Sequence, residues 1–154
     1  MTAMQILERC RAAENDKQTM RDRIRRYRES ATRVTAALDG IRAGGSSQDK
    51  LAEIMAEIDQ LERAIAQRDL EYAAEAAAAC KLLDMLPENE SKVLDRYYLY
   101  GNPLTAIARE LSYSYGYVRT LKSAACLHLE NIPESMVGAL MPAWYIECER
   151  EKET

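Results

Sequence analysis

Phenylalanine is absent from this 154-residue chain, tryptophan and histidine occur once each, and there are only six glycines and four prolines. So little turn-forming material argues against a turn-rich all-β protein. The four cysteines, Cys10, Cys80, Cys126 and Cys148, include no CxxC pair. With His128 as the sole histidine, the spacing of a zinc site is missing, and no metal or other cofactor is expected. Each cysteine is expected to serve as a small apolar residue in a reducing compartment. A nucleophilic cysteine needs an activating base, and His128 follows Cys126 by two residues, where helical side chains diverge. An enzyme is therefore not expected, nor is a small-molecule substrate. No apolar run approaches the ~20 residues of a membrane span, and the first residues lack the charged-then-apolar layout of a signal peptide. The expectation is a soluble, cytoplasmic protein with no membrane partner.

What is present favours helix. Hydrophobic residues make up 47% of the chain and charged residues 30%, with Ala, Leu, Glu, Arg and Met abundant. The formal charge of −4 is unevenly spread: residues 1–42 carry +4, 49–86 carry −5, 87–131 carry 0 and 132–154 carry −3. Adjacent basic and acidic stretches suggest two elements that lie against one another. Ile6, Cys10, Ala13, Lys17, Met20, Ile24, Tyr27, Ala31, Val34, Leu38 and Ile41 alternate in steps of four and three, a heptad seam interrupted by Lys17. A second seam runs from Leu51 through Ile54, Ile58, Leu61, Ile65, Tyr72, Ala76, Ala79 and Leu83 to Leu86, interrupted by Arg68.

Each seam spans about 36 residues, a helix on the order of 54 Å. The Gly/Ser-rich break near 42–48 between them fits an antiparallel helical hairpin, or coiled coil, over residues 1–86. Ser47 or Asp49 is the expected cap of the second helix. Such an arm serves as a spacer or an oligomerisation surface, and a homodimer is one possible outcome. Its five arginines between Arg21 and Arg28 are alternatively phosphate contacts, although some should pair with the acidic second helix.

From Leu86 the pattern changes. Pro87, Glu88 and Glu90 suit a first helical turn, and Val93, Leu94, Tyr97 and Tyr98 form an apolar stripe that stops at Tyr100-Gly101-Asn102-Pro103. Asn102 is the expected cap of a two-turn helix bearing Leu104, Ile107, Ala108 and Leu111 on one face. A three-residue turn, Ser112-Tyr113-Ser114, precedes a third helix capped by Ser114, with Val118, Leu121, Ala125 and Leu129 as its buried face. Two helices joined by a tight turn, with small Ala108 where the backbones cross, predict a helix-turn-helix within 87–131.

Residues 86–129, with Leu104-Thr105-Ala106-Ile107-Ala108-Arg109-Glu110-Leu111 and Val118-Arg119-Thr120-Leu121, resemble region 4 of bacterial sigma factors. Effector domains of the LuxR type share much of this motif. With the helical arm and the Ser112-Tyr113-Ser114-Tyr115 turn included, the chain resembles the sigma-like phage and prophage regulators grouped with the ArpU and RinA late-gene activators. The resemblance implies a transcription regulator that binds double-stranded DNA, with RNA polymerase as a further partner. The recognition helix would span 115–130 and insert its first turn and a half into the major groove.

Helical spacing independently selects Gly116, Arg119, Thr120 and Ser123 as the face opposite Val118 and Leu121. Arg119 suits bidentate contact with guanine, and Thr120 a thymine methyl or a polar base edge. The bland alternative for Arg119 is a surface salt bridge. Ser114 opens the helix, while Tyr115, Tyr117, Lys122 and Arg109 flank the face as phosphate or sugar contacts. The chain departs from sigma region 4 at Tyr115, Gly116 and Tyr117, where the family usually carries charges. A competing expectation is a protein-interaction module that docks on RNA polymerase or self-assembles through the hairpin, with DNA contact secondary.

The tail, 132–154, has an apolar patch (Met136, Val137, Leu140, Met141, Trp144, Tyr145, Ile146) divided by Pro142. It is expected to pack back on the bundle or to meet a partner, with a frayed end from Glu147.

Overall fold

The computed structural model describes residues 1–40 and 45–154, with side chains for 1–37 and 48–154. Every element among the described residues is helical. Helix α1 spans Ala3–Gly40, α2 Gly45–Glu71, α3 Ala73–Asp84, α4 Glu88–Leu94, α5 Leu104–Leu111, α6 Tyr115–Glu130, α7 Glu134–Ala139 and α8 Ala143–Glu153. A π-helical turn, Asp95–Leu99, extends α4. The chain divides into two compact units, residues 1–15 with 71–154 and residues 16–70.

The second unit is a helical hairpin, α1 from Asp16 onward running antiparallel to α2. The two polar interruptions of its seams meet there. Lys17 Nζ lies 2.7 Å from Asp69 and Arg68 Nη2 lies 3.8 Å from Asp16, so each charge is matched across the hairpin. Arg28 pairs with Glu62 at 2.9 Å, and Arg25 with Asp22 at 3.0 Å on its own helix. The arginine cluster is thus partly spent on carboxylates, while Arg23 and Arg26 are exposed. Ile24 and Ile58 are the buried apolar centre of this unit. Helix α2 begins at Gly45, inside the stretch expected as loop; small residues suit a first turn, whose amides have no intrahelical acceptor. Asp49 therefore sits within the helix. The remainder of that loop and the side chains of Leu38, Ile41 and Ser47 lie outside the described residues.

The first unit differs from the expected division at residue 86. The second seam does not continue as one helix. It breaks at Tyr72 (φ −106°, ψ 9°), and α3 then buries Ala74, Glu75, Ala78, Ala79, Leu82 and Leu83 while Ala76 is exposed. The change of phase turns α3 onto a core that it shares with the opening turns of α1. Ile6, Leu7 and Cys10 meet Leu82, Leu94, Tyr98, Ala125, Leu129, Val137 and Met141 in one buried cluster. At ~1.5–3 kcal/mol per fully buried aliphatic side chain, Ile6 and Leu7 are integral to this unit. Glu75 is buried here, and Arg9 donates to its Oε1 from Nη2 at 3.0 Å and Nε at 3.3 Å.

The tail packs through Val137 and Met141, with Leu140 and Tyr145 partly covered and Met136, Trp144 and Ile146 exposed. Helix α8 continues through this stretch to Glu153, and Lys152 and Glu149 pair at 2.9 Å along it. Not all the cysteines act as buried apolar residues. Cys10 is buried and Cys126 half-buried, whereas Cys80 and Cys148 are exposed. No described helix is long and apolar enough to cross a membrane.

Candidate nucleic-acid interface

Backbone chemistry sets the angle between α5 and α6. Pro103, extended at ψ 154°, occupies the position before α5; Asn102, expected there, lies one residue further out and donates its N–H to the Arg96 carbonyl at 3.0 Å. The π turn draws Asn102 away from the cap. At the other end of α5, Ser112 adopts the left-handed conformation (φ 57°, ψ 37°). The Tyr113 N–H then reaches the Ala108 carbonyl at 2.9 Å and the Ser112 N–H the Arg109 carbonyl at 3.4 Å. This is the two-bond Schellman stop, completed by Tyr113 packing on the cluster that contains Ile107 and Ala108. Two residues later Ser114 caps α6, its Oγ accepting the Tyr117 N–H at 3.1 Å. Val93, Ile107, Ala108 and Val118 form the small buried cluster that clamps α4, α5 and α6 together.

Opposite Val118, the residues selected by helical spacing are brought together on one surface. Gly116, Arg119, Thr120 and Ser123 are exposed and, with Ala124 and Leu127, line a shallow groove along α6. A Cβ at Gly116 would meet no atom within 4 Å, so internal packing does not demand the glycine. Thr120 donates its hydroxyl to the Gly116 carbonyl at 3.0 Å. Among the described residues Arg119 meets no acid: its guanidinium lies 5.9 Å from the centre of the Tyr115 ring. The surface salt bridge considered for Arg119 is therefore not its arrangement here.

The flanking residues differ in what holds them. Tyr117 stands edge-on to Tyr113 with ring centres 5.1 Å apart, and its hydroxyl accepts from Asn89 Nδ2 at 3.5 Å. Tyr113 in turn donates to Asn89 Oδ1 at 3.2 Å, so these two tyrosines brace α4 against the turn. Arg109 is exposed on α5. Lys122 is half-buried, with Nζ 4.6 Å from the centre of the Tyr97 ring. Arg11, from α1, lies over the same ring at 3.7 Å and also donates to the Tyr97 carbonyl. Nothing in the spacing of α1 singled out Arg11, and Tyr97 read only as part of an apolar stripe.

Three acids of the domain, Glu88, Glu90 and Glu110, are engaged by other side chains. Arg96 Nε pairs with Glu110 at 2.9 Å, and His128 Nδ1 with buried Glu90 at 2.8 Å. Glu88 and Lys92 pair at 2.8 Å; the hydrogen bond between them lowers the Glu88 pKa and raises that of Lys92. Burial raises the pKa of Asp95, with Arg96 opposing, and burial raises that of Tyr98, aided by nearby Cys126.

Residues 82–131 match the family described as Sigma-70, region 4. This is a helix-turn-helix type of DNA-binding, transcription-regulating domain, not an enzymatic one. The matched segment holds α4 to α6 and the end of α3, and leaves residues 1–81 and 132–154 outside it. No curated protein matches the chain. No solved structure matches it either.

Proposed function

We propose that this protein is a sequence-specific regulator of transcription that reads duplex DNA in the major groove with the Gly116–Ser123 face of α6. The observation that carries the reading is the exposed quartet Gly116, Arg119, Thr120 and Ser123 directly opposite the clamped Val118 edge. Arg119, which meets no carboxylate among the described residues, is the guanine-reading residue through O6 and N7. Thr120, its hydroxyl turned back on the Gly116 carbonyl, offers a methyl group to thymine. Gly116 and Ser123 allow the bases to approach closely. Tyr115, Lys122 and Arg109 contact the backbone, as does the Ser114-capped start of α6. The Tyr117 hydroxyl accepts from Asn89 and contributes through its outer ring edge.

The helical arm ahead of a region 4-like domain supports the narrower assignment to phage- or prophage-type late-gene regulators. Work on DNA implies a cytoplasmic location.

A second reading, docking on RNA polymerase with DNA contact secondary, is favoured by one observation. Leu127, at the far end of the same α6 face, is 61% exposed. Self-assembly through the hairpin is its variant, and a homodimer on DNA would leave a two-fold site.

Selection of bound fragments from random duplex DNA tests the main reading. An enriched motif is expected, and Arg119→Ala should cost ~1–3 kcal/mol at one base position while leaving the others intact. Uniform binding of every fragment by the parent, or an unchanged motif in Arg119→Ala, would remove Arg119 from the reading face. Capture of polymerase without any shift of DNA would favour the second reading.

A further inference from the structure

The basic side chains of this protein differ in what they lie against, and Arg9 meets both kinds of partner, Glu75 at 3.0 Å and the Tyr72 ring at 5.3 Å. Lys17, Arg28, Arg63, Arg68, Lys92, Arg96 and Lys152 each hold a carboxylate within ion-pair distance. Arg119, Lys122 and Arg11 instead rest on tyrosine rings, at 5.9, 4.6 and 3.7 Å from the ring centres. The distinction is electrostatic. A carboxylate cancels the cation, whereas a ring face attracts it through a quadrupole and leaves the full positive charge in place.

Arg119 and Lys122 are three residues apart on α6 and so share one edge of the helix. Tyr97 couples that edge to Arg11 on α1, more than eighty residues earlier in the chain. The Arg11 guanidinium lies over the ring of Tyr97 and donates to its carbonyl. Residues 87–131 are neutral overall, too little for a module held to DNA by its phosphates. The edge supplies local charge that this total conceals, and Arg11 adds to it from outside the matched segment.

We infer that Lys122 and Arg11, which share the Tyr97 ring, form one phosphate-binding edge beside the reading face to which Arg119 belongs, with Arg11 acting as a backbone clamp delivered by α1. The tyrosines hold the cations in place without neutralising them. The inference rests on the DNA-reading role proposed above and extends it to a residue that the region 4-like segment does not contain.

The test uses the full chain and a labelled duplex of random sequence, with affinity measured by fluorescence anisotropy across a salt series. Arg11→Gln should weaken binding to every duplex and reduce the slope of log affinity against log salt by about one, the loss of one phosphate contact. Arg63→Gln, which removes the same unit of charge from an exposed pair in the hairpin, should leave the slope unchanged. Arg11→Lys keeps the charge and should keep the slope. Thermal melts identify any variant that has lost its fold. An Arg11→Gln slope equal to the parent's, or an Arg11→Lys slope reduced as far as that of Arg11→Gln, overturns the clamp. If Arg119→Ala still erases a base preference in that case, the clamp fails alone. If the parent binds no duplex at any salt, the DNA-reading role fails with it.

Discussion

Ser112 carries the geometric cost of the helix-turn-helix. Its φ of 57° lies in the left-handed region, which serine enters only against the contact of its own Cβ with the carbonyl that follows. The two hydrogen bonds of the Schellman stop and the burial of Tyr113 hold it there. Ser112→Val should lower the stability of the chain by about 1–2 kcal/mol, because a β-branched residue fits this conformation worse still. Ser112→Gly should be at least as stable as the parent. Urea midpoints for the three proteins decide the matter: a valine variant indistinguishable from the parent would mean that the turn can reorganise. Ser114, by contrast, was legible from local chemistry, since a side-chain cap answers only to the amides of the next turn. Asn102 was not legible, because its backbone answers to Arg96, six residues back across the π turn.

At the scale of elements, that π turn is the seat of an electrostatic cost. The Tyr100 N–H reaches back to the Asp95 carbonyl at 3.2 Å, and burial holds the Asp95 carboxyl above its usual range. A carboxyl with a raised pKa in the folded state binds its proton more tightly there than in the unfolded chain. Its contribution therefore favours folding at acid pH and is lost as pH rises through the folded pKa. Asp95→Asn should raise the melting temperature relative to the parent at neutral pH, and that advantage should vanish near about pH 3, where both forms are uncharged. A gain of equal size at both pH values would exclude the charge as its cause. The hairpin shows a milder use of charge: Lys17 with Asp69 and Arg68 with Asp16 mark one antiparallel register, at no more than ~1 kcal/mol each for pairs this exposed.

For the whole molecule, the division into units predicts which truncations survive. Ile6 and Leu7 are fully buried against residues of α3, α4 and α6, so the region 4-like segment shares its core with the start of the chain. Residues 1–15 joined to 71–154 by a short Gly/Ser linker should melt cooperatively. Residues 82–131 alone, without Ile6, Leu7, Val137 and Met141, should not. Circular dichroism melts of the two fragments would settle this, and cooperative melting of the shorter one at the parent's temperature would contradict the shared core.

Periodicity, caps and turn chemistry determined the all-helical class, the hairpin seams, the α5–turn–α6 motif and the outward quartet on α6. Each depends on residues within about two turns of one another, the range over which local sterics and hydrogen bonding act. Other features came only from tertiary structure: the break at Tyr72, the transfer of residues 1–15 and 71–86 to the unit that holds the region 4-like segment, and Arg11 set over Tyr97 beside Lys122. An aliphatic stripe states that it will be buried without stating against what. The choice of partner for Ile6, Leu7 and Arg11 belongs to the packed core, where segments distant in sequence compete for the same apolar surface.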